Sequence, residues 1–213
     1  SAFDLTAGTS SQVYRGVGTE SEPVWAAVRD TKGEILTWDG DPILAAFHSA
    51  SGGHTATSEE VWGEALKYLA SREVKDEDDS PDTYWRSPLS RTTLGRALEA
   101  LGKPVGEVES LEVAERSESG RVLEIRIEGS EREALLTGRD LRRALGGSTL
   151  KSTLFEIREN DEGFVMVGSG RGHGVGMSQW GARGMALRGA TYQEILEHFF
   201  PGTRLDRMAG GKR

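Results

Sequence analysis

Ser110-Leu111-Glu112-Val113-Ala114-Glu115-Arg116 and Arg121-Val122-Leu123-Glu124-Ile125-Arg126-Ile127-Glu128 are two runs in which apolar and charged residues interleave, parted by a polar stretch at Ser119-Gly120. Interleaving of this kind puts one set of side chains on each face of a pleated strand. It predicts a β-hairpin, with Val122, Ile125 and Ile127 as its apolar positions. Short elements flank it on both sides. After Pro88, Ser90 is placed to cap a helix whose Leu94, Leu98 and Leu101 share one face, with Gly102 as its stop. Thr137-Gly138-Arg139-Asp140 resembles a capping box opening a short helix with Leu141 and Leu145 inward and Gly146-Gly147 at its end. Residues 153–168 predict a second hairpin turning at Asn160 to Gly163, and Thr191 with Glu194 opens a last helix that buries Ile195, Leu196, Phe199 and Phe200.

Upstream, residues 24–50 read as a β-meander. Val24, Ala26 and Val28 alternate with other residues, Lys32-Gly33 turns, and Glu34 to Trp38 returns. Asp39-Gly40 turns again, and Ile43 to Phe47 makes a third run behind Pro42. Residues 51–63, rich in Gly, Ser and Thr, read as a loop. The charge run 75–81 reads as a solvated surface loop ending at Pro81, since it lacks the alternating ligands and central Gly of an EF-hand calcium loop. Strands and helices do not alternate regularly, so a parallel βαβ sheet is disfavoured and the fold class is α+β, mainly antiparallel hairpins with a few short helices.

Composition narrows the function classes. The 213 residues carry 36% hydrophobic and 28% charged side chains, ordinary for a globular chain, with a net charge of −8. That sign is wrong for a phosphate-binding surface, and no nucleic-acid partner is expected. No apolar run approaches the ~20 residues of a membrane-spanning helix. Cysteine is absent, which removes disulfides, thiolate zinc sites and Cys nucleophiles together. Glycine is in excess, 28 of 213 residues.

Two segments carry chemistry. The first, Phe47-His48-Ser49-Ala50-Ser51-Gly52-Gly53-His54-Thr55 with Ser58-Glu59-Glu60-Val61-Trp62-Gly63, sets imidazoles, hydroxyls, carboxylates and a Trp around a Gly-Gly turn. Hydroxyls and imidazoles hydrogen-bond sugar or amide groups, and Trp offers a face to a sugar ring. A hairpin end whose Ser and Thr satisfy their own backbone is the alternative. The second, residues 168–181, holds six glycines in fourteen positions and ends at Ser178-Gln179-Trp180-Gly181, where Ser178 can cap a helix. It lacks the Lys-Ser/Thr ending and the preceding Val/Ile-rich parallel strand of a phosphate loop, and a tight packing crossover is its alternative. His48 and His54 lie six apart rather than at the i,i+4 spacing of a helical zinc site, and His173 can join them only through tertiary folding. No cofactor is expected, zinc staying open as the one metal to consider. His198 reads as a surface or core-edge residue.

Together these segments resemble the stage II sporulation protein D family, the SpoIID/LytB domain. The resemblance rests on His48-Ser49-Ala50-Ser51-Gly52-Gly53-His54-Thr55, on Ser58-Glu59-Glu60-Val61-Trp62-Gly63, and on Gly172-His173-Gly174-Val175-Gly176-Met177-Ser178-Gln179-Trp180-Gly181-Ala182. Thr9-Ser10-Ser11-Gln12-Val13-Tyr14, Leu150-Lys151-Ser152-Thr153-Leu154-Phe155, Tyr192-Gln193-Glu194-Ile195-Leu196 and Phe200-Pro201-Gly202-Thr203 extend it. It implies one domain over residues 1–205, with a small insert at about 88–150 and a tail from 206 to 213.

The resemblance further implies peptidoglycan glycan strands as ligand. It implies lytic transglycosylase-type cleavage of the MurNAc–GlcNAc bond, or a non-catalytic module that holds glycan and stimulates a cell-wall amidase. Transglycosylation needs one carboxylic acid, to protonate the leaving oxygen and then deprotonate the C6 hydroxyl, instead of the two of ordinary glycosidases. In relatives that Glu sits in a helical segment ahead of the Ser-Gln-Val-Tyr region. It is therefore expected upstream of Ser1, together with a signal or anchor for an extracytoplasmic location in the bacterial envelope. Within the chain Glu60 is the candidate acid. The expected glycan contacts are His48, Ser49, Ser51, Gly52, Gly53, His54, Glu59, His173, Ser178 and Gln179. Some relatives carry Cys and His in a zinc-like pattern near the Gly-Gly turn; here Ser stands in place of the thiols. Sporulation of the source is not implied.

Overall fold

A computed structural model describes residue 8 and residues 16–208. The Thr9–Tyr14 part of the family match lies outside them, as do residues 209–213 of the expected tail. The described elements, in chain order, are α1 (Glu22–Asp30), β1 (Glu34–Trp38), β2 (Asp41–Pro42), β3 (Phe47–His48), α2 (Ser58–Trp62) and β4 (Trp85–Leu89). They continue with α3 (Arg91–Ala100), β5 (Val108–Arg116), β6 (Val122–Gly129), β7 (Glu133–Thr137) and α4 (Gly138–Leu145). The last are β8 (Phe155–Asn160), β9 (Gly163–Gly168), β10 (Met177–Ser178), α5 (Gln179–Leu187), α6 (Tyr192–Phe199) and β11 (Arg204–Arg207). Short helices among mostly antiparallel small sheets make this an α+β fold.

The chain divides into two compact units, one formed by Ser1–Leu36 with Leu205–Arg213 and the other by Thr37–Arg204. In the first unit α1 replaces the strand expected over Val24 to Val28. Pro23 sits in its first turn, where a fixed φ favours a helix and no N–H is missed, and Glu22 pairs with Arg29 at 2.8 Å. Val24 and Val28 alternate as strand residues would, but they are also four apart and so share a helical face, which is why the pattern deceived. Residues 206 and 207, expected in a tail, continue β11, where Arg207 pairs with Glu34 at 3.2 Å.

The second unit holds the site. The remainder of the expected meander is also cut short: after the Asp39-Gly40 turn only Asp41–Pro42 pairs back on β1, with Thr37 opposite Pro42. Instead of closing a meander, Phe47–His48 pairs in parallel with Met177–Ser178, 130 residues away. The hairpin that fixes the fold class forms as expected, β5 against β6, and a third strand, β7, adds to it with Ile125 opposite Leu136 and Ile127 opposite Ala134. A second sheet runs β4-β9-β8. On the β5-β6-β7 sheet α3 and α4 bury Leu94, Leu98 and Leu141, and Trp85, Ile125, Ile127, Phe155, Phe164 and Met166 complete one apolar core. Residues 88–150 therefore share their core with β4, β8 and β9. Side-chain caps stand where the sequence put them, Ser90 on α3, Thr137 on α4 and Ser178 on α5, and Thr191 with Glu194 closes a capping box on α6.

Two further expectations change. Within the Gly, Ser and Thr-rich stretch 51–63, Thr57 accepts the Glu60 N–H and opens α2, which Gly63 ends in the left-handed conformation. The charge run 75–81 is solvated only in part: Lys75, Asp78 and Asp79 are exposed, but Glu77 and Ser80 are buried, and so is Asp82 just beyond it.

Candidate functional site

The Gly-Gly turn explains the buried acid. Gly52 and Gly53 have φ of 80° and 106°, a left-handed backbone open to glycine, and this curvature turns the successive N–H groups of residues 51–53 toward one point. Such a concavity calls for an anion, and the Glu77 carboxylate supplies it. Glu77 accepts from the N–H groups of Ser51 at 2.7 Å, Gly52 at 2.9 Å and Gly53 at 3.3 Å. It also accepts from the hydroxyls of Ser51 at 2.8 Å and of Ser178. Ser178 in turn takes the Gly181 N–H as the cap of α5. One carboxylate thus ties the first conspicuous motif to the second. The groups of Ser51, Gly52, Gly53 and Ser178 that were expected to meet sugar face Glu77.

The two histidines hold the Gly-rich loop from the other side. His48 Nδ1 donates to the Val175 carbonyl at 3.1 Å, and His173 Nδ1 accepts the Val175 N–H at 3.0 Å. The rings lie 5.5 Å apart, centre to centre, and Trp62 lies 5.4 Å from His173. Burial first, and then His173 and Arg121 nearby, drive the His48 pKa down to about 3, so the ring is neutral with a bare, buried Nε2. His173 is also pushed down, chiefly by burial, against a backbone hydrogen bond with Phe47. His48 retains one uncommitted nitrogen, His173 is engaged with the backbone at Val175 and Phe47, and among the described residues no three His, Asp or Glu side chains gather as a metal site.

Arg121 lies beneath the same loop, 2% exposed. Its Nη2 donates to the carbonyls of Ser51 at 2.8 Å and His54 at 3.1 Å, while Nε and Nη1 have no partner among the described residues. Burial lowers its pKa to about 10 against the pull of Glu60 and Glu77, so it remains a cation. A Cβ on Gly174, whose φ is +85°, would come within 2.3 Å of Arg121 Cζ, so the loop needs glycine there to lie on the guanidinium. Beside it opens a cavity of about 310 Å³ whose walls include Glu60, Val61, Arg121, Thr137 and Arg139. Glu60, half-buried, accepts from Ser119 Oγ at 2.7 Å.

The structure therefore gathers His48, Ser51, Gly52, Gly53, His173 and Ser178 around Glu77 and Arg121. Ser49 is half-buried next to them, its carbonyl taking the Trp180 N–H. His54, Glu59 and Gln179 are exposed. Glu77 and Arg121 were missed from the sequence. Glu77 stands among like charges, and the hint to it was the Gly-Gly turn, whose converging N–H groups demand an acceptor. Arg121 opens the second strand of a hairpin and carries no local mark at all.

A protein-family model described as Domain of unknown function (DUF8618) matches residues 53–176. The chain is 34% identical over 200 residues to an uncharacterized protein of Brachyspira hyodysenteriae, covering 94% of this chain and 53% of the relative. It is 34% identical over 196 residues to stage II sporulation protein D of Bacillus subtilis, covering 88% and 52%. Against the amidase enhancer of Bacillus subtilis it is 28% identical over 246 residues, covering 92% and 34%. The chain thus spans about half the length, or less, of these curated relatives. It belongs to the DUF8618 family and, with these relatives, to the stage II sporulation protein D family.

Proposed function

We propose that this chain is the glycan-binding part of a cell-wall enzyme of lytic transglycosylase type, working on the MurNAc–GlcNAc strands of peptidoglycan in the bacterial envelope. The relatives named for sporulation stage II and for enhancing an amidase support a cell-wall-related role. The observation that carries the finer reading is the cavity with Glu60 in its wall, next to the pairing of Trp62 with His173. Trp62 is 37% exposed and offers a face on which a sugar ring stacks. Polar wall groups, Thr137 and Arg139 among them, suit sugar hydroxyl and acetamido groups.

For the reaction, a single acid gives its proton to the leaving glycosidic oxygen and then removes the C6 hydroxyl proton as that oxygen closes on C1. No water is consumed, and the product ends in a 1,6-anhydro sugar. Of the three acids that line the cavity, Glu60, Glu115 and Glu124, Glu60 is the one that lies in the family motif, and a further acid upstream is what the family resemblance leads us to expect. The test adds the full-length protein to purified sacculi and measures released anhydro-muropeptides. Release by the wild type and its loss in Glu60→Gln assigns the acid to Glu60; release that survives Glu60→Gln, and also Glu115→Gln and Glu124→Gln, assigns it outside this cavity. A folded full-length protein that releases nothing overturns the enzymatic reading.

The amidase enhancer relative favours a second reading, in which the same surface holds glycan and stimulates a separate amidase. It predicts sacculus binding without product and a faster amidase in the protein's presence.

A further inference from the structure

In a chain of net charge −8, positive charge collects around the Gly-rich loop. Arg142, on α4, donates through Nε to the Lys151 carbonyl at 3.3 Å, the same carbonyl that takes the Gly172 N–H at 2.9 Å. Arg171 and Lys151 share one acid, Asp82, at 3.5 and 2.6 Å, so two cations answer to a single carboxylate. Among the described residues no carboxylate lies within ion-pair distance of Arg142 or of Arg121. Both are instead fixed by backbone carbonyls, which orient a guanidinium without neutralising it.

This charge is close enough to be felt within the group. Arg142 is pushed down by burial and then by Arg171, and both Arg121 and Arg142 act on His173. Arg142 and Arg171 are half-buried and so reachable, whereas Arg121 is sealed under the loop and contributes field without contact. The cavity beside Arg121 is mixed in charge, with Glu60, Glu115 and Glu124 set against Arg121 and Arg139 in its walls, so it offers an acid no surplus of cations.

We propose that Arg142 and Arg171, with Lys151, form a carboxylate subsite beside His173, which takes an acid group carried by the bound glycan strand. A planar guanidinium pair matches the two oxygens of a carboxylate, and the surplus cation over Asp82 is neutralised when the ligand arrives. The inference rests on the glycan reading above and makes it narrower: the strand must be acidic. In peptidoglycan a carboxylate comes either from the lactyl group of a peptide-free muramic acid or from a stem peptide.

The experiment measures binding of the full chain to four probes: peptide-free glycan strands, strands bearing stem peptides, peptide-free strands whose carboxyls have been amidated, and a neutral chitooligosaccharide. Both acidic strands, or one of them, bind about tenfold tighter than the amidated and neutral probes, as expected of one charge-assisted contact pair. A preference for peptide-free strands assigns the lactyl group, and a preference for peptide-bearing strands assigns the peptide. Arg142→Gln removes the preference, while Arg143→Gln, at an exposed residue paired with Asp140, leaves it intact. Should Arg142→Gln fail to fold, the amidated arm on the wild-type chain still decides. Equal binding of acidic and amidated strands overturns the subsite and spares the glycan reading. Binding to none of the four overturns both.

Discussion

Two regions of the second unit are built on opposite principles. The sheet of β5, β6 and β7 with α3 and α4 is held by apolar burial: Leu94, Leu98, Ile125, Ile127 and Leu141 are each fully buried and touch one another through carbon. Contacts of that kind are individually weak, numerous and tolerant of exchange. Around Glu77 five donors converge on one carboxylate. A polar centre of this kind is worth little more than its desolvation cost when complete, and fails when one member is lost. The first region makes a fold stable. The second makes one geometry specific.

The sharpest way to break that contrast is Glu77→Gln, nearly the same shape with half the acceptors. It is expected to cost about 3–5 kcal/mol, because an amide NH₂ then faces buried donors. Denaturant midpoints measure it, and a loss below about 1 kcal/mol would make Glu77 an ordinary surface acid. Next in size is an acid effect at His48. The folded ring stays neutral down to about pH 3, whereas the unfolded ring takes its proton near 6.5. Between those values the unfolded chain binds more protons, so stability falls as the pH falls, by roughly 2 kcal/mol at about pH 5. A His48→Gln chain should show a flatter profile in the same window; identical slopes would remove His48 as the cause. Smallest is Ile125→Val in the apolar region, about 1 kcal/mol by thermal unfolding. If it matched Glu77→Gln, the two regions would not differ in tolerance.

The same contrast explains what could be read in advance. The hairpin of β5 and β6, the helix behind Ser90 and the box at Thr191 follow from local rules of alternation, capping and termination, so they were legible. β7 was not, although Ala134 and Leu136 alternate behind the Gly129-Ser130 turn; its run is only five residues long. Over α1, Val24 and Val28 satisfy both periods at once, and Pro23 in the first turn decides for the helix. In the site, His48, Ser51, Gly52, Gly53, His173 and Ser178 stood out by composition and do come together. Their partners did not, since Glu77 is paired across 24–101 positions and Arg121 across about 70, distances at which spacing carries no information.

The parallel pairing of β3 with β10 has a bearing on synthesis. Ser178 is made 129 residues after Ser49, roughly 6–26 s later at ~5–20 residues per second. For that interval His48 and the Gly-Gly turn have left the ribosome's active centre without their closing strand, while the hairpins between them have all their own partners at hand. The oldest part of the nascent site is thus the last to be completed, and a chain halted before Ser178 would carry a folded core and no finished groove.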